Sequence, residues 1–282
     1  MSNKGNLFVV GTPIGNLEDI TLRAISTLQD VDFVLAEDTR NSKILFNKYD
    51  IKTKLTSYHK FSEKSKTLSL IESLKSGLDI ALISDAGTPL ISDPGKFLLR
   101  DAIKNRIKVI PIPGATSIIP ALTISGFNLD SFCFYGFFPR QKKAKTILIK
   151  EIASSTKTSV LFETGKRIEQ MFNDLTSQLH PSTNIVIARE ITKLHETIYR
   201  GDLETVKNSI FESDFGTKGE FVVVIEGKIM EQDSEISEED RRIINILLEE
   251  LDQKLALEIA SKILKRKRNE IYKVKIQPFL KQ

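Results

Sequence analysis

The rhythm of the first 125 residues constrains this chain most: short apolar runs alternate with segments of helical period. Residues 7–10 read as a strand. Ile20, Leu22, Ile25 and Leu28 then repeat as the buried face of a helix, with Asp19 placed to cap it. Residues 31–35 and 55–57 read as further strands. Leu68, Ile71 and Leu74 mark a helix stopped by Gly77, the residue that takes a left-handed conformation most readily. Residues 80–83 are continuously apolar, as a strand covered on both faces must be. Asp93 and Pro94 open the next helix as cap and first-turn proline, and residues 108–110 add a strand. Strand and helix in strict alternation predict a parallel α/β sheet.

A second unit begins after a pause at residues 126–130. Its strands fall at 132–135, 159–162, 185–188 and 221–225, with 196–200 as an antiparallel partner and helices after Lys142, Lys166 and Asp202. The stretch 227–237 is polar and acidic, a linker. Beyond it Ile243, Ile244, Leu247 and Leu251, then Leu255, Ile259 and Ile263, recur at helical spacing, opened by a capping-box-like Ser237-Glu-Glu-Asp240. The expected organisation is therefore an N-terminal α/β domain at 1–125, a mixed α/β domain at 126–228, and a linker with a small helical tail at 229–282.

Composition narrows the setting. Hydrophobic residues at 40% and charged residues at 28% suit a chain that buries its own core. One cysteine, Cys133, excludes an internal disulfide framework, and His59, His180 and His195 lie too far apart in sequence for a zinc-ligand spacing. Both point to a reducing cytoplasm and to no bound metal. The apolar run at the amino terminus is too short for a signal peptide, and no stretch approaches the roughly 20 apolar residues of a membrane span. The net charge of +4 is a weak pointer to nucleic acid; where the basic residues fall is a better one.

Three segments follow strands and precede helices, the place where α/β proteins bind ligands. Gly11-Thr-Pro-Ile-Gly-Asn16 is neither G-x-G-x-x-G nor a P-loop, so it argues against a dinucleotide fold and against the common Rossmann-type methyltransferase. It reads equally as a tight turn or a binding loop. Ser84-Asp-Ala-Gly-Thr-Pro-Leu-Ile-Ser-Asp-Pro-Gly95 is the most informative segment: small residues and prolines let a ligand approach the backbone, and Asp85 can accept hydrogen bonds from it. In the third, residues 111–117, Thr116 or Ser117 can cap a helix and face a ligand together. Residues 132–145 join five aromatics to Arg140, Lys142, Lys143 and Lys145, a combination that suits unpaired nucleotides, with Phe132 and Phe134 assigned to a strand's buried side. Residues 262–268 form a basic cluster on the tail, a second possible RNA contact or a solvated face.

With these words in order, the chain resembles the small-subunit ribosomal RNA (cytidine 2′-O)-methyltransferases of the tetrapyrrole (corrin/porphyrin) methylase superfamily. The stretches that carry it lie between about Leu7 and Gly227: 12–16, 19–24, 36–40, 57–59, 84–95, 111–114, 188–196 and 219–224. The resemblance implies a two-domain tetrapyrrole-methylase-like α/β fold, a homodimer, and S-adenosylmethionine held between the domains. It sets the cofactor against Pro13, Asp85, Ala86, Gly87, Thr88, Thr116 and Ser117, with Phe162 and Gly219 on the other side. The acceptor it implies is the ribose of a decoding-centre cytidine in 16S ribosomal RNA, reached through Arg23, Glu37, Asp38, Arg40 and residues 189–196. Where the family carries Glu-Ser-x-His-Arg, this chain has Glu163-Thr-Gly-Lys-Arg167, which removes a histidine base and keeps Arg167.

Methyl transfer to a hydroxyl needs positioning first and a proton acceptor second. Glu190, Glu37 and Asp38 are the acceptor candidates, with Lys193 or Arg189 orienting ribose or phosphate. Arg23, Arg40, Arg140, Lys142 and Arg167 are the substrate-facing candidates. Two other functions fit parts of the pattern: a methylase acting on a small tetrapyrrole, and a non-enzymatic RNA-binding assembly factor.

Overall fold

A computed structural model describes residues 4–59, 63–213, 217–228 and 238–264, together with Arg266, Arg268 and Ile271. The chain divides into two compact units, Met1–Lys228 and Ile229–Gln282.

The first unit contains two five-stranded sheets. In the first, β1 (Asn6–Val10), β2 (Phe33–Ala36), β3 (Lys54–Ser57), β4 (Ile80–Ile83) and β5 (Lys108–Ile112) are all parallel, in the order β3-β2-β4-β1-β5. Helices α1 (Leu22–Asp30) and α2 (Thr39–Lys48) cover one face; α3 (Glu63–Lys75) and α4 (Lys96–Lys104) cover the other. The central strand shows why its sequence is a continuous apolar run: Ala81 and Ile83 enter one core, Ile80 and Leu82 the other. The loops leaving the adjacent strands β1 and β4 depart toward opposite faces. Such a crossing leaves a crevice at the carboxyl edge, where open α/β sheets bind ligands.

The second sheet combines β6 (Phe132–Phe137), β7 (Thr158–Thr164), β8 (Asn184–Arg189), β9 (Thr197–Asp202) and β10 (Glu220–Ile225) in the order β6-β7-β10-β8-β9. Only β6 and β7 pair in parallel; the other neighbours are antiparallel, including the β8–β9 pairing expected at 196–200. Helices α6 (Lys142–Ser154), α7 (Gly165–Thr176) and α8 (Leu203–Phe211) bury one face around Leu161, Phe172 and Val223. The other face takes α5 (Ile118–Thr123), whose Ala121 and Leu122 pack against Val160, Val186, Val222 and Val224. One short helix that follows the first sheet thus seals the second.

In the other unit, α9 (Glu238–Glu250) and α10 (Gln253–Leu264) pack through Ile244 and Ala260 with Leu247, Leu248, Leu257 and Leu264. Leu255 and Ile263, expected on the buried stripe, are exposed, because Ala256 and Ala260 make the close contact. Lys262, Arg266 and Arg268 of the basic cluster pair with Glu258, Asp240 and Glu258. Lys265 and Lys267, the linker 229–237 and the Ser237 cap lie outside the described residues. Among the described residues no helix is long and apolar enough to cross a membrane.

Several local expectations change. Thr21, not Asp19, caps α1, its hydroxyl accepting from the Ala24 N–H, while Asn16 caps a one-turn 3-10 helix at Leu17–Asp19. With that start, Leu22 points outward and Ala24 takes the inner place. On α3, Leu68 is exposed and Leu70 is buried beside Ile71 and Leu74. Phe132, expected on the buried side of its strand, is exposed at the start of β6.

The largest change concerns α4. It begins at Lys96, two residues beyond Pro94, and no side chain of the preceding residue caps it. Asp93 is not the cap. The buried Glu63, from the start of α3, accepts from the Gly95 N–H (3.0 Å) and the Phe97 N–H (2.8 Å). A carboxylate at a helix N-terminus satisfies orphan donors and complements the helix dipole. Glu63→Ala should therefore cost about 1–3 kcal/mol, the penalty for leaving buried donors unmet. Glu63→Gln, which keeps an accepting oxygen, should recover part of it. Urea denaturation monitored by circular dichroism measures both, and equal stability of all three proteins would exclude this capping role.

Candidate active site

Three loops meet at the carboxyl edge of the first sheet. Residue 12, after β1, and residue 87, after β4, exchange both backbone hydrogen bonds: Thr12 N–H to Gly87 O (2.9 Å) and Gly87 N–H to Thr12 O (3.0 Å). The Thr12 hydroxyl donates to Ser84 O at 3.2 Å, fastening the same pair again. Gly87 has φ +76°, and a Cβ there would lie 3.2 Å from Ile14 Cγ2, so glycine is required by conformation and space. The third loop joins through Thr88, whose hydroxyl donates to Ala115 O (3.4 Å). Thr116 Oγ1 accepts from Ile118 N–H (3.4 Å) in the first turn of α5, while Ser117 makes no side-chain cap bond. Asp85 is oriented by Asp38 N–H and the Asn41 amide, each 2.9 Å from one of its oxygens.

The facing wall comes from the second sheet. Glu190 (φ 51°) and Thr192 (φ 65°) both stand in the left-handed region, an unusual conformation for side chains with a Cβ. A network holds them. Glu190 Oε1 accepts from Lys193 Nζ and from Glu220 N–H, each at 2.9 Å, and the same Nζ meets Glu220 Oε2 at 2.9 Å. Gly15 of the first loop abuts this wall so tightly that a Cβ would fall 2.4 Å from Lys193 Cγ, and Asn16 N–H donates to Thr192 Oγ1 (3.2 Å).

Between the walls lies a cleft of about 300 Å³. Of the residues expected from sequence, Asp85, Ala86, Gly87, Thr88, Thr116, Ser117, Phe162, Glu190 and Lys193 line it together. Phe162 is held edge-on by Phe134 (4.9 Å between centroids) and Phe137 (5.6 Å). Pro13 is buried beneath its loop, and Gly219 backs onto the Glu190 side chain; neither lines the cleft.

Other expected residues are elsewhere. Arg189 is buried, its guanidinium donating to Lys218 O (2.7 Å) and His195 O (3.0 Å), so it ties the wall loop together from behind. Asp38 caps α2 and grips Arg40, and Glu37 stands just outside the lining. Arg167 donates to the carbonyls of Phe138 and Pro139 and pairs with Glu163, a clamp within the second half. Lys145 pairs with Asp174 at 2.5 Å, over the Phe138 ring, and is not exposed to a nucleic acid. Arg23, Arg40, Arg140 and Lys142 are exposed.

Charge divides the carboxylates into two classes. Hydrogen bonds from Arg40 pull Asp38 down to about 2. For Glu190, burial acts upward, yet the Lys193 hydrogen bond, the Glu220 N–H and the charges of Lys193 and Arg189 prevail and hold it below the ordinary range. Burial acts downward on Lys193, but Glu220 and Glu190 outweigh it and keep the ammonium. Glu37 is raised, by burial first and then by Asp85 and Asp38, with His59 opposing. Asp93 is pushed up to about 6 by burial and by the charges of Glu37 and Asp85, against a hydrogen bond from Ser84.

Among the lining residues that sequence reasoning did not single out are Ile14, Asp93, Glu163 and Glu220. Glu163 and Glu220 stood inside the words that carried the family resemblance. Asp93 was hidden by its cap-like position before a proline. Among the described residues, no three His, Cys, Asp or Glu side chains gather as a metal-binding group.

Comparison with known proteins agrees with this architecture. The model of the family "Tetrapyrrole (Corrin/Porphyrin) Methylases" matches residues 6–207, more than half of the chain. The ribosomal RNA small subunit methyltransferase I of Pasteurella multocida is 40% identical over 275 residues, covering 98% of each chain. Its namesake from Haemophilus influenzae is 42% identical over 269 residues, 95% of each. Diphthine synthase, a solved structure, superposes with a TM-score of 0.63 at 17% identity, over 79% of this chain and 90% of its own, which speaks for the fold. The chain belongs to the tetrapyrrole (corrin/porphyrin) methylase family, in the group of the ribosomal RNA small subunit methyltransferases I.

Proposed function

We propose that this chain transfers the methyl group of S-adenosylmethionine to the ribose 2′-hydroxyl of a decoding-centre cytidine in 16S ribosomal RNA. One observation carries the reading: a cleft between a small-residue loop wall and a carboxylate wall, in a chain 40% identical over nearly its whole length to a ribosomal RNA methyltransferase. A non-enzymatic factor would have no need of such a cleft.

The residues present fit the donor. Gly87 forms a backbone cradle that any Cβ would fill, and the flanking Ala86 and Thr88 leave it open. Ile14, Ile118, Phe162, Ile191 and Val222 supply apolar surface for a purine, and the Thr116 and Ser117 hydroxyls and the Asp85 carboxylate supply polar partners. A sulfonium cation also suits a cleft containing Asp85, Asp93, Glu163, Glu190 and Glu220. When bound, the donor supplies an activated methyl whose leaving group is a neutral thioether.

What the chain itself contributes is chiefly placement, worth roughly 7–11 kcal/mol when two reactants are held in attack geometry. Lys193 is the only cation among the described lining residues, and in this reading it orients a phosphate or ribose oxygen at the cleft mouth. Glu190 and Glu220 keep that ammonium in place, and Arg189 braces their loop. Glu37 and Asp38 shape the approach, Asp38 through Arg40 and the start of α2. Exposed Arg23, Arg40, Arg140 and Lys142 meet the RNA backbone. We extend the reading to a cytoplasmic homodimer in which 1–125 and 126–228 act as the two lobes around the donor, supported by the free Cys133 and by the exposed apolar side chains Leu22, Ile44 and Ile103.

Incubation with methyl-labelled S-adenosylmethionine and small ribosomal subunits should place label on one ribose, found by nuclease mapping. Label on a tetrapyrrole instead, or on neither, would reject the proposal. Asp85→Ala should lower donor affinity roughly ten- to hundredfold, the worth of a charged hydrogen bond, with RNA affinity retained. Calorimetry showing unchanged donor binding would remove Asp85 from that role. RNA affinity should fall steeply with salt, and the double variant Arg140→Ala with Lys142→Ala should reduce the log–log slope by about 1.4, two single-strand phosphate contacts. An unaltered slope would take these residues off the RNA surface.

A further inference from the structure

Four of the five carboxylates that line the cleft are fixed by an ion pair or by backbone and amide donors. Glu163 pairs with Arg167 at 3.1 Å and accepts from Thr164 N–H at 2.8 Å. Glu190 and Glu220 both hold Lys193. Asp85 has one oxygen on Asp38 N–H and the other on the Asn41 amide. The partners of Glu190 hold it below the ordinary carboxylate range. Burial raises Glu163 in spite of Arg167, but its side chain is wholly buried behind that pair and has no route by which to pass a proton to solvent.

Asp93 stands apart. It lines the cleft at the end of the loop that follows β4, and among the described residues no basic side chain pairs with it. It is also relieved of the work its sequence position suggests, since Glu63 caps α4 in its place. The charged groups around it are mostly like-charged. Glu37 acts on it from the loop after β2 and Asp85 from its own loop, with Ser84 as the hydrogen-bonding neighbour. His59 acts on Glu37 from beyond, and Glu163, Glu190, Lys193 and Glu220 line the same cleft.

We propose that Asp93 is the proton acceptor of the reaction, taking the ribose 2′-hydroxyl proton as the oxygen attacks. The inference rests on the methyl-transfer reading above. As the oxygen–carbon bond forms, the carbon–sulfur bond breaks and leaves its electron pair on sulfur. The hydroxyl proton passes to the Asp93 carboxylate and from there to solvent. Its elevated proton affinity, set by burial and by Glu37 and Asp85, makes it a stronger base than the Lys193-bound Glu190 while leaving it largely ionised at neutral pH. The sign follows: lowering the pH through about 6 protonates Asp93, so the rate falls on the acid side and is full above it.

The test compares wild type with Asp93→Asn and Asp93→Glu on small ribosomal subunits in single-turnover assays from about pH 5 to about pH 9, with donor affinity measured by calorimetry. A carbon-13 NMR titration of the aspartate carboxyls in the wild type, with the Asp93 signal identified by its loss in the variant, reads the group without any turnover. Expected are an acid limb near pH 6 in the wild type, a loss of roughly 10²- to 10⁴-fold in D93N with the limb abolished, partial recovery in D93E, and donor affinity within about threefold throughout. An active wild type with an equally active D93N overturns the role of Asp93 alone. So does a loss of donor affinity in D93N that matches its loss of rate, or an Asp93 carboxyl that titrates at the ordinary value of about 3.9. A wild type that transfers no methyl to RNA overturns the functional reading, and the role of Asp93 with it.

Discussion

The site depends on the pair of backbone hydrogen bonds between Thr12 and Gly87. Parallel strands do not join at their carboxyl ends, because each chain must leave for a helix on one face or the other. In this sheet β1 and β4 are neighbours whose chains leave toward opposite faces, so their loops would otherwise part above the strands. A single antiparallel bridge, doubled by the Thr12 hydroxyl on Ser84 O, fixes the two loops at one separation. Everything downstream inherits that position: the Asp85 carboxylate tied to the start of α2, Thr88 tied to Ala115, and the open backbone at Gly87. Two main-chain bonds thus convert three flexible connections into a wall.

Charge within the cleft follows from which loops carry cations. The second sheet brings Lys193 and Arg167 with its carboxylates, so Glu190, Glu220 and Glu163 are each paired where they stand. The first sheet brings none: Arg40 is turned outward onto Asp38, and Glu37, Asp85 and Asp93 are left to repel one another. One wall is therefore pinned by ion pairs, while the other leaves Asp93, the proposed proton acceptor, without a cation. This asymmetry needs Asp93 to be spared from capping α4, which is why a distant residue, Glu63, matters to the chemistry although it never reaches the cleft.

The two sheets were legible because strand and helix periods report burial directly, and both sheets bury their strands on both faces. The order of strands was not, since nothing in the run 80–83 says that β4 lies between β2 and β1. Caps were the least legible. Asp93-Pro94 has the residue types of a helix start, but the helix begins later and draws its carboxylate from Glu63, 32 positions upstream of Gly95 in sequence and adjacent only in space. Of the site, the glycine- and proline-bearing loop stood out because its composition states what the backbone must do. Arg189 and Arg167 stood out as well, yet a guanidinium satisfied by backbone carbonyls and one facing a substrate look alike in sequence. Lys145 was misassigned for the same reason, its partner Asp174 lying on another helix.

Glu190 and Thr192 sharpen the contrast between the walls. Non-glycine residues at positive φ cost on the order of 1–3 kcal/mol each, so the turn after β8 persists only if its surroundings hold it. Ile191 between Glu190 and Thr192 is sunk into the apolar cluster under α5, and polar contacts hold either side: Lys193 between two glutamates, Thr192 N–H on Glu196 (2.7 Å), Asn16 N–H on Thr192 Oγ1, and Arg189 on two carbonyls behind. Burial of Ile191 fixes the depth of the turn, and the directional hydrogen bonds fix its spacing from Gly15. Charge thereby contributes to the separation between Gly87 on one wall and Glu190 on the other. Anything that competes for Lys193, a phosphate group above all, acts directly on the geometry in which a methyl group would be transferred.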